Sequence, residues 1–94
     1  MAQDIKLHRY FNDWMRLYKK GAVREVTYRK YEMTYRQVVM LAPELLMSEL
    51  TRLTYQKLLN DYAETHERQT VMDFHRHIKS SLIDALEEGI IERD

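Results

Sequence analysis

Apolar side chains recur three or four residues apart along almost the whole chain, and this spacing limits the possible folds more than any other feature. It is the spacing that places side chains on one face of an α-helix. Only two glycines and one proline interrupt it, so the chain lacks the turn formers that a many-stranded β-sandwich needs. Its 94 residues, 45 % of them hydrophobic, suffice for one small core and are too apolar for a disordered chain. The sequence therefore predicts a single all-α domain.

The N-terminal half of the pattern predicts two helices. The first runs from about Asp4 to Lys20 and stops at Gly21, because glycine adopts the left-handed conformation that ends many helices. The second begins at Thr27, whose hydroxyl can cap the free amides of the first turn, and continues to about Leu41.

The C-terminal half predicts two more helices. Thr54 is the expected N-cap of a three-turn third helix, and Thr70 is the expected N-cap of a long fourth helix that ends at Gly89. A short helical turn over residues 43–46 precedes the third helix, and a solvated stretch over residues 64–69 precedes the fourth. The four helices with short connections make a compact bundle.

The second helix has one aromatic face and one basic face. Tyrosines expected on its core side, where their rings fill volume, are Tyr28, Tyr31 and Tyr35. The opposite face consists of Arg29, Lys30, Met33, Arg36 and Gln37.

Methionines are flexible enough to fill gaps in a core. The ones expected to do so are Met15, Met33, Met40, Met47 and Met72.

The net charge is zero, but the charges are unevenly distributed. Residues 1–36 carry nine Lys and Arg against four Asp and Glu, a net charge of +5, and the remainder carries −5. Because salt at ~0.15 M screens charges beyond about 8 Å, one surface can attract an anion while another repels it. A second polar face opens the fourth helix and consists of Asp73, Arg76, His77, Lys79 and Ser80, with free amides expected at Thr70 and Val71. Two such faces could hold a nucleic-acid backbone.

Motifs for catalysis are missing from the sequence. The chain has no cysteine, which excludes disulfides, thiolate zinc sites and cysteine nucleophiles. His66 begins a zinc-protease-like motif, but Thr70 stands where the second histidine is needed. His75 and His77 point about 160° apart on a helix, so they cannot join Asp73 in one ligand set. We expect no metal, no cofactor and no catalysis by this chain alone.

The order of these signals resembles that of one family. A Trp-containing first helix is followed by a basic stretch leading to Thr27 and by Tyr-Arg-Lys-Tyr at residues 28–31. Next come a proline at position 43 and the segment Leu-Thr-Arg-Leu-Thr-Tyr-Gln-Lys-Leu-Leu-Asn at residues 50–60. A long helix then begins at Thr70 and ends with Ala-Leu-Glu-Glu-Gly-Ile-Ile at residues 85–91. This order resembles the core-binding (SAM-like, N-terminal) domain of tyrosine recombinases, the phage and conjugative-transposon integrases.

The likeness covers nearly the whole chain, with two departures. Leu46 stands where many members have glycine, and the chain ends at Asp94, where the family has an Asn-Pro or Asp-Pro linker. The first departure only shifts a turn. The second fits a fragment that ends at the interdomain linker.

The resemblance implies a four-helix orthogonal bundle, with a short extra helical turn, that forms one half of a C-shaped clamp around a recombination site in double-stranded DNA. The catalytic residues would belong to a C-terminal catalytic domain, so residues 1–94 would be a single non-catalytic domain, monomeric in isolation. It would bind no membrane and would act in the cytoplasm of a prokaryote, encoded by a phage or another mobile element. The second and fourth helices would bind DNA through Thr27, Arg29, Lys30, Arg36, Gln69, Thr70, Arg76, His77, Lys79 and Ser80.

Two other functions remain open. A helical protein-interaction domain without DNA affinity would dock a partner through its acidic second half and through Ile83 and residues 90–91. A small metal-dependent enzyme would use Asp73, His75 and His77 and would lose activity in the presence of a chelator.

Overall fold

The computed structural model describes residues 4–91. The α-helices are α1 (Leu7–Tyr18), α2 (Glu25–Leu41), α3 (Arg52–Ala63) and α4 (Arg68–Glu87), and a 3-10 helix spans Met47–Glu49. These elements confirm the predicted all-α bundle of four helices with one short extra turn. Within the described range, each helix is too short or too polar to cross a membrane. The predicted chain end at Asp94 lies outside the described residues.

The threonines predicted as N-caps are the third residues of their helices instead. They are Thr27 in α2, Thr54 in α3 and Thr70 in α4. The residues that precede these helices are Arg24, Thr51 and Glu67. The predicted starts of all three helices were therefore wrong by three residues.

The start of α3 shows the physical reason for this error. The amide of Thr54 donates to Oγ1 of Thr51 at 3.1 Å, and the amide of Thr51 donates to Oγ1 of Thr54 at 2.8 Å. A polar side chain at the third position thus satisfies the amide of the cap residue, as in a capping box. Because threonine is suited to both positions, its presence alone does not locate the first residue of a helix.

The N-terminal segment pairs with the chain before the 3-10 helix instead of extending α1. Lys6 and Leu46 form an antiparallel bridge, and the amide of Leu7 donates to the carbonyl of Leu45 at 2.8 Å. The predicted helix start at Asp4 was therefore wrong, and the short helical turn predicted over residues 43–46 lies at residues 47–49 instead. Both stretches satisfy their backbone groups across the chain, which a local pattern does not reveal.

Gly89 ends α4, as predicted. Its φ angle is +79°, in the left-handed region that glycine adopts without steric cost. The amide of Ile90 donates to the carbonyl of Ala85 at 2.9 Å, which is the bond that closes a helix C-terminus of this type. The chain then folds back, and Ile91 packs against the core.

Side chains from all parts of the bundle form one hydrophobic core. The large hydrophobic residues buried completely are Leu7, Phe11, Val38, Phe74 and Ile78. Tyr62 of α3 stacks on Phe74 of α4, with 4.0 Å between ring centroids. The tyrosines predicted on the core side of α2 are partly buried against this core, as expected. Aromatic rings therefore join α2 and α3 to α4.

Three of the five methionines predicted to fill the core are exposed. Met15 and Met47 are buried, whereas Met33, Met40 and Met72 expose 59, 73 and 52 % of their surface. The prediction was wrong for these three because they lie on the outward faces of α2 and α4, and an apolar side chain is not always directed inward. The outward face of α2 thus carries methionine among its basic residues.

Candidate nucleic-acid interface

A groove of about 180 Å³ lies between α2 and the N-terminal half of α4. Its lining residues are Lys30, Met33, Thr34, Tyr62, Thr70, Asp73, Phe74 and His77. The fold therefore brings together Lys30, Thr70 and His77, which the sequence placed on two separate helices.

His77 lies against α2 in this groove, so the prediction that it lies on the solvent face of α4 was wrong. Its Nδ1 is 2.8 Å from the hydroxyl of Thr34, and its ring stacks on Tyr31 with 4.1 Å between centroids. Burial lowers the pKa of His77 below its ordinary value of 6.5; Asp73 opposes this effect, and nearby cations add to it. Burial and the nearby positive charges thus both favour the neutral form of the ring.

The predicted cations of α2 and of the N-terminal half of α4 are exposed. They are Arg29, Lys30 and Arg36 on α2 and Arg76 on α4. Arg29 pairs with Glu25 at 3.1 Å, and Arg76 pairs with Asp73. Exposed ion pairs contribute only ~0–1 kcal/mol, so a phosphate could replace either carboxylate. Within residues 4–91, Lys30 and Arg36 form no ion pair.

Lys19 is a cation near this groove that sequence reasoning missed. Its Nζ is 5.3 Å from the ring centroid of Trp14 and 5.8 Å from that of Tyr31. It also contributes to the positive charge that lowers the pKa of His77. A lysine just after a helix is adequately explained by the helix dipole. Only the packing of α1 on α2 shows that Lys19 extends the basic surface.

Lys79 lies on the other side of α4. It lines a second cavity of about 200 Å³ between α3 and the C-terminal half of α4. The other lining residues are Leu50, Thr51, Arg52, Tyr55, His75, Leu82, Ile83, Leu86 and Ile91. The predicted placement of Lys79 on one face with His77 was wrong, because residues two apart in a helix point about 160° apart.

Three other residues predicted to contact DNA form hydrogen bonds within the domain or are partly buried. Nε2 of Gln69 donates to Oδ1 of Asp73 at 3.1 Å. The hydroxyl of Ser80 donates to the carbonyl of Arg76 at 3.0 Å, and Ser80 is half-buried. Thr27 is half-buried as well. Of this group, Gln69 is the one that is largely exposed.

The start of α4 presents different amides from those predicted. The amide of Val71 donates to the carbonyl of Glu67 at 3.0 Å, so the prediction that it is free was wrong. Because α4 begins at Arg68, the amides without an acceptor inside the helix are those of residues 68–70. The amide of Thr70, predicted to be free, is one of these.

His75 faces α3, away from His77. Its Nδ1 is 2.7 Å from the hydroxyl of Tyr55. Burial and then Lys79 lower the pKa of His75, and burial raises the pKa of Tyr55. The two histidines therefore point to different helices, as their spacing predicted. The part of the chain that the structure describes contains no group of three potential metal ligands.

Two solved structures resemble the domain over nearly its whole length. The crystal structure of the N-terminal domain of an integrase, prophage pi2 protein 01 from Lactococcus lactis, is 40 % identical, with a TM-score of 0.94, and the match covers 97 % of this chain and 87 % of that one. The solution structure of a phage integrase fragment from Staphylococcus saprophyticus is 31 % identical, with a TM-score of 0.84 and coverage of 96 % and 82 %. This chain belongs to the family of phage integrase N-terminal domains. Neither a protein-family model nor a curated protein matched it.

Acidic residues of the integrase domain lie at the C-terminal end of α4, where they contact α1. Nε1 of Trp14 donates to Asp84 at 2.7 Å, and the hydroxyl of Tyr18 donates to Glu88 at 3.0 Å. Burial, followed by Glu88 and Asp84, raises the pKa of Tyr10 to about 12. The acidic end of α4 thus lies beside α1, whereas Asp73 is the acid that lines the α2–α4 groove.

Proposed function

We propose that this integrase domain is the core-binding domain of a site-specific tyrosine recombinase and grips one side of the recombination-site duplex during DNA integration and recombination. The observation that carries the proposal is the α2–α4 groove, which Lys30 lines, together with the exposed Arg29 and Arg36 on α2 and Arg76 on α4. Cations clustered on adjacent helices are typical of proteins that bind duplex DNA. The integrase identity of both structural neighbours supports the same function.

In the proposed complex, α2 and the N-terminal half of α4 face the major groove, which at about 12 Å is wide enough for an α-helix. The exposed arginines and Lys30 bind phosphates, because such contacts supply most of the sequence-independent affinity. Lys19 adds a further positive charge on the same side. Gln69 and Thr70, at the start of α4, contact phosphates or base edges.

The remaining predicted residues have smaller parts in this proposal. His77 is half-buried between α2 and α4, so it fixes the distance between the two helices. Thr27 and Ser80 are partly covered, and their contacts with DNA are peripheral. Lys79 faces the α3–α4 cavity and contributes less to binding than Arg76.

The reacting groups belong, in this proposal, to a C-terminal catalytic domain of the parent protein, which is the second partner. A tyrosine nucleophile must lose its proton as it attacks. Burial raises the pKa of Tyr31, Tyr55 and Tyr62, and all three pack against the neighbouring α4. These tyrosines are therefore suited to packing and poorly suited to nucleophilic attack.

The salt dependence of duplex binding tests the proposal. The logarithm of the affinity should fall with the logarithm of the salt concentration, with a slope of about −0.9 for each phosphate contacted. Lys30→Ala should weaken binding several-fold and reduce that slope by about one. Lys57→Ala is the matched control, because Lys57 is also exposed but lies on α3 and pairs with Asp61 at 3.0 Å.

Equal losses from these two variants, or binding that does not depend on salt, would contradict the proposed surface. The other candidate function is a helical protein-interaction domain, and the apolar α3–α4 cavity with Ile83 and Leu86 favours it. That candidate predicts no affinity for duplex DNA even at low salt.

A further inference from the structure

Three apolar side chains stand in a row on the exposed basic face of α2. Val26, Met33 and Met40 are spaced seven residues apart and expose 58, 59 and 73 % of their surface. Seven residues correspond to two turns, or about 10.5 Å along the helix. The three side chains lie outside the core that residues 4–91 form, so packing within the domain does not explain them.

Met33 differs from the other two in its surroundings. It lines the α2–α4 groove together with Lys30 and His77. Arg29 lies one turn before it and Arg36 one turn after it on the same face. Val26 and Met40 do not line this groove. Met33 is therefore the apolar group with cations on both sides and a second helix beside it.

We infer that Met33 contacts the 5-methyl group of thymine in the major groove of duplex DNA. The inference rests on the proposed function, because it requires α2 to face the duplex. The 5-methyl group of thymine is the apolar group that base pairs display in the major groove, and apolar side chains contact it. Arg29 and Arg36 bind phosphates on either side and hold the thioether against the bases. The flexible methionine side chain adapts to the position of the methyl group.

Replacing thymidine by deoxyuridine removes this methyl group and leaves every base-pair hydrogen bond in place. The probes are two hairpin duplexes of about 20 base pairs, or two helical turns, one of alternating dA and dT and the other of alternating dA and dU. We expect the wild-type domain to bind the dT duplex about fourfold more tightly, which is the effect of removing one methyl group from water.

Two variants separate the contribution of Met33 from that of the duplex. Met33→Ala should bind both duplexes with the same affinity. Met40→Ala removes the same type of side chain from a more exposed position on the same helix, so it should keep the fourfold ratio. Because both positions are exposed, the two variants should keep the helical circular dichroism of the wild type.

Each result decides a different point. Equal, salt-dependent binding of the wild type to the two duplexes overturns the inference and leaves the proposed function standing. A ratio that survives Met33→Ala also overturns it, because the preference then comes from the duplex itself. Failure to bind either duplex at low salt overturns the proposed function and the inference with it.

Discussion

The α2–α4 groove and the α3–α4 cavity share one helix and one kind of contact, yet they differ in chemistry. In each, a histidine of α4 lies beside a hydroxyl of the neighbouring helix: His77 is 2.8 Å from Thr34, and His75 is 2.7 Å from Tyr55. Cations such as Lys30 surround His77, whereas leucines and isoleucines form much of the cavity beside His75. The comparison shows that the neighbouring helix, more than the histidine itself, determines what each surface can bind.

The largest expected effect comes from a core residue of α4 that packs on α3. Phe74 is 1 % exposed, stacks on Tyr62 of α3 and lines the α2–α4 groove. Phe74→Ala should lower the free energy of unfolding by about 3–5 kcal/mol, measured by urea unfolding with Trp14 fluorescence. Ile83→Ala, at the exposed edge of the α3–α4 cavity, should cost less than ~1 kcal/mol. Similar losses from both variants would contradict the described packing.

The next largest effect is on duplex binding, and it distinguishes two pairs of cations. Replacing Arg36 and Arg76 by alanine should weaken binding about tenfold or more and reduce the salt slope by about two. Replacing Arg52 and Lys79, which line the α3–α4 cavity, removes the same total charge and should change the affinity about twofold or less. Fluorescence anisotropy with a labelled duplex measures both. If the two double variants lose affinity equally, net charge governs binding and the α2–α4 groove has no special role.

Both histidines should make stability depend on pH in the same direction. Burial lowers the pKa of His75 and of His77 in the folded domain, so the unfolded chain, with a pKa near 6.5, takes up protons first. The two neutral histidines therefore contribute fully to stability above about pH 6.5. This contribution is lost as the pH falls through that value toward the lower pKa of each histidine in the folded domain. The urea concentration at the unfolding midpoint should therefore decrease as the pH is lowered from about 7 to about 5.

A variant assigns part of this pH dependence to the α2–α4 groove. His77→Gln removes one of the two contributions, so its profile should be flatter over the same interval, and the remaining slope should come from His75. A profile parallel to that of the wild type would show that His77 titrates alike in the folded and unfolded chain, against its burial beside Thr34.

The smallest expected effect concerns the two hydroxyl contacts. Thr34→Val and Tyr55→Phe should each cost about 1 kcal/mol of stability, the usual contribution of one hydrogen bond. Only Thr34→Val should also weaken duplex binding, by about twofold, because it releases the ring of His77 in the α2–α4 groove. Urea unfolding and anisotropy titrations check the two effects separately. A loss of affinity in Tyr55→Phe as large as in Thr34→Val would contradict the difference between the two surfaces.

The number and order of the helices could be predicted because apolar periodicity is a local property of the sequence. The helix starts could not. Thr27 and Thr70 occupy third positions, whereas Arg24 and Glu67 precede α2 and α4 without a side-chain cap. Since these two starts carry no capping side chain, the preference of threonine for N-cap positions does not locate them.

The candidate site could be predicted in part. The exposure of Lys30 and Arg76 followed from helical periodicity and is confirmed. The separation of Lys79 from His77 follows from the same periodicity and was missed, whereas the approach of Lys19 to Tyr31 depends on how α1 packs on α2. That information is carried by contacts between distant parts of the chain, which a single-sequence pattern does not contain.

An amide NMR titration of the domain with a short duplex, at low and at moderate salt, tests most directly whether the α2–α4 groove binds DNA. We predict chemical shift changes that cluster in residues 27–37 and 69–80 and that fade as the salt concentration rises. Changes confined to residues 50–59 and 82–91, or no changes at low salt, would contradict the account.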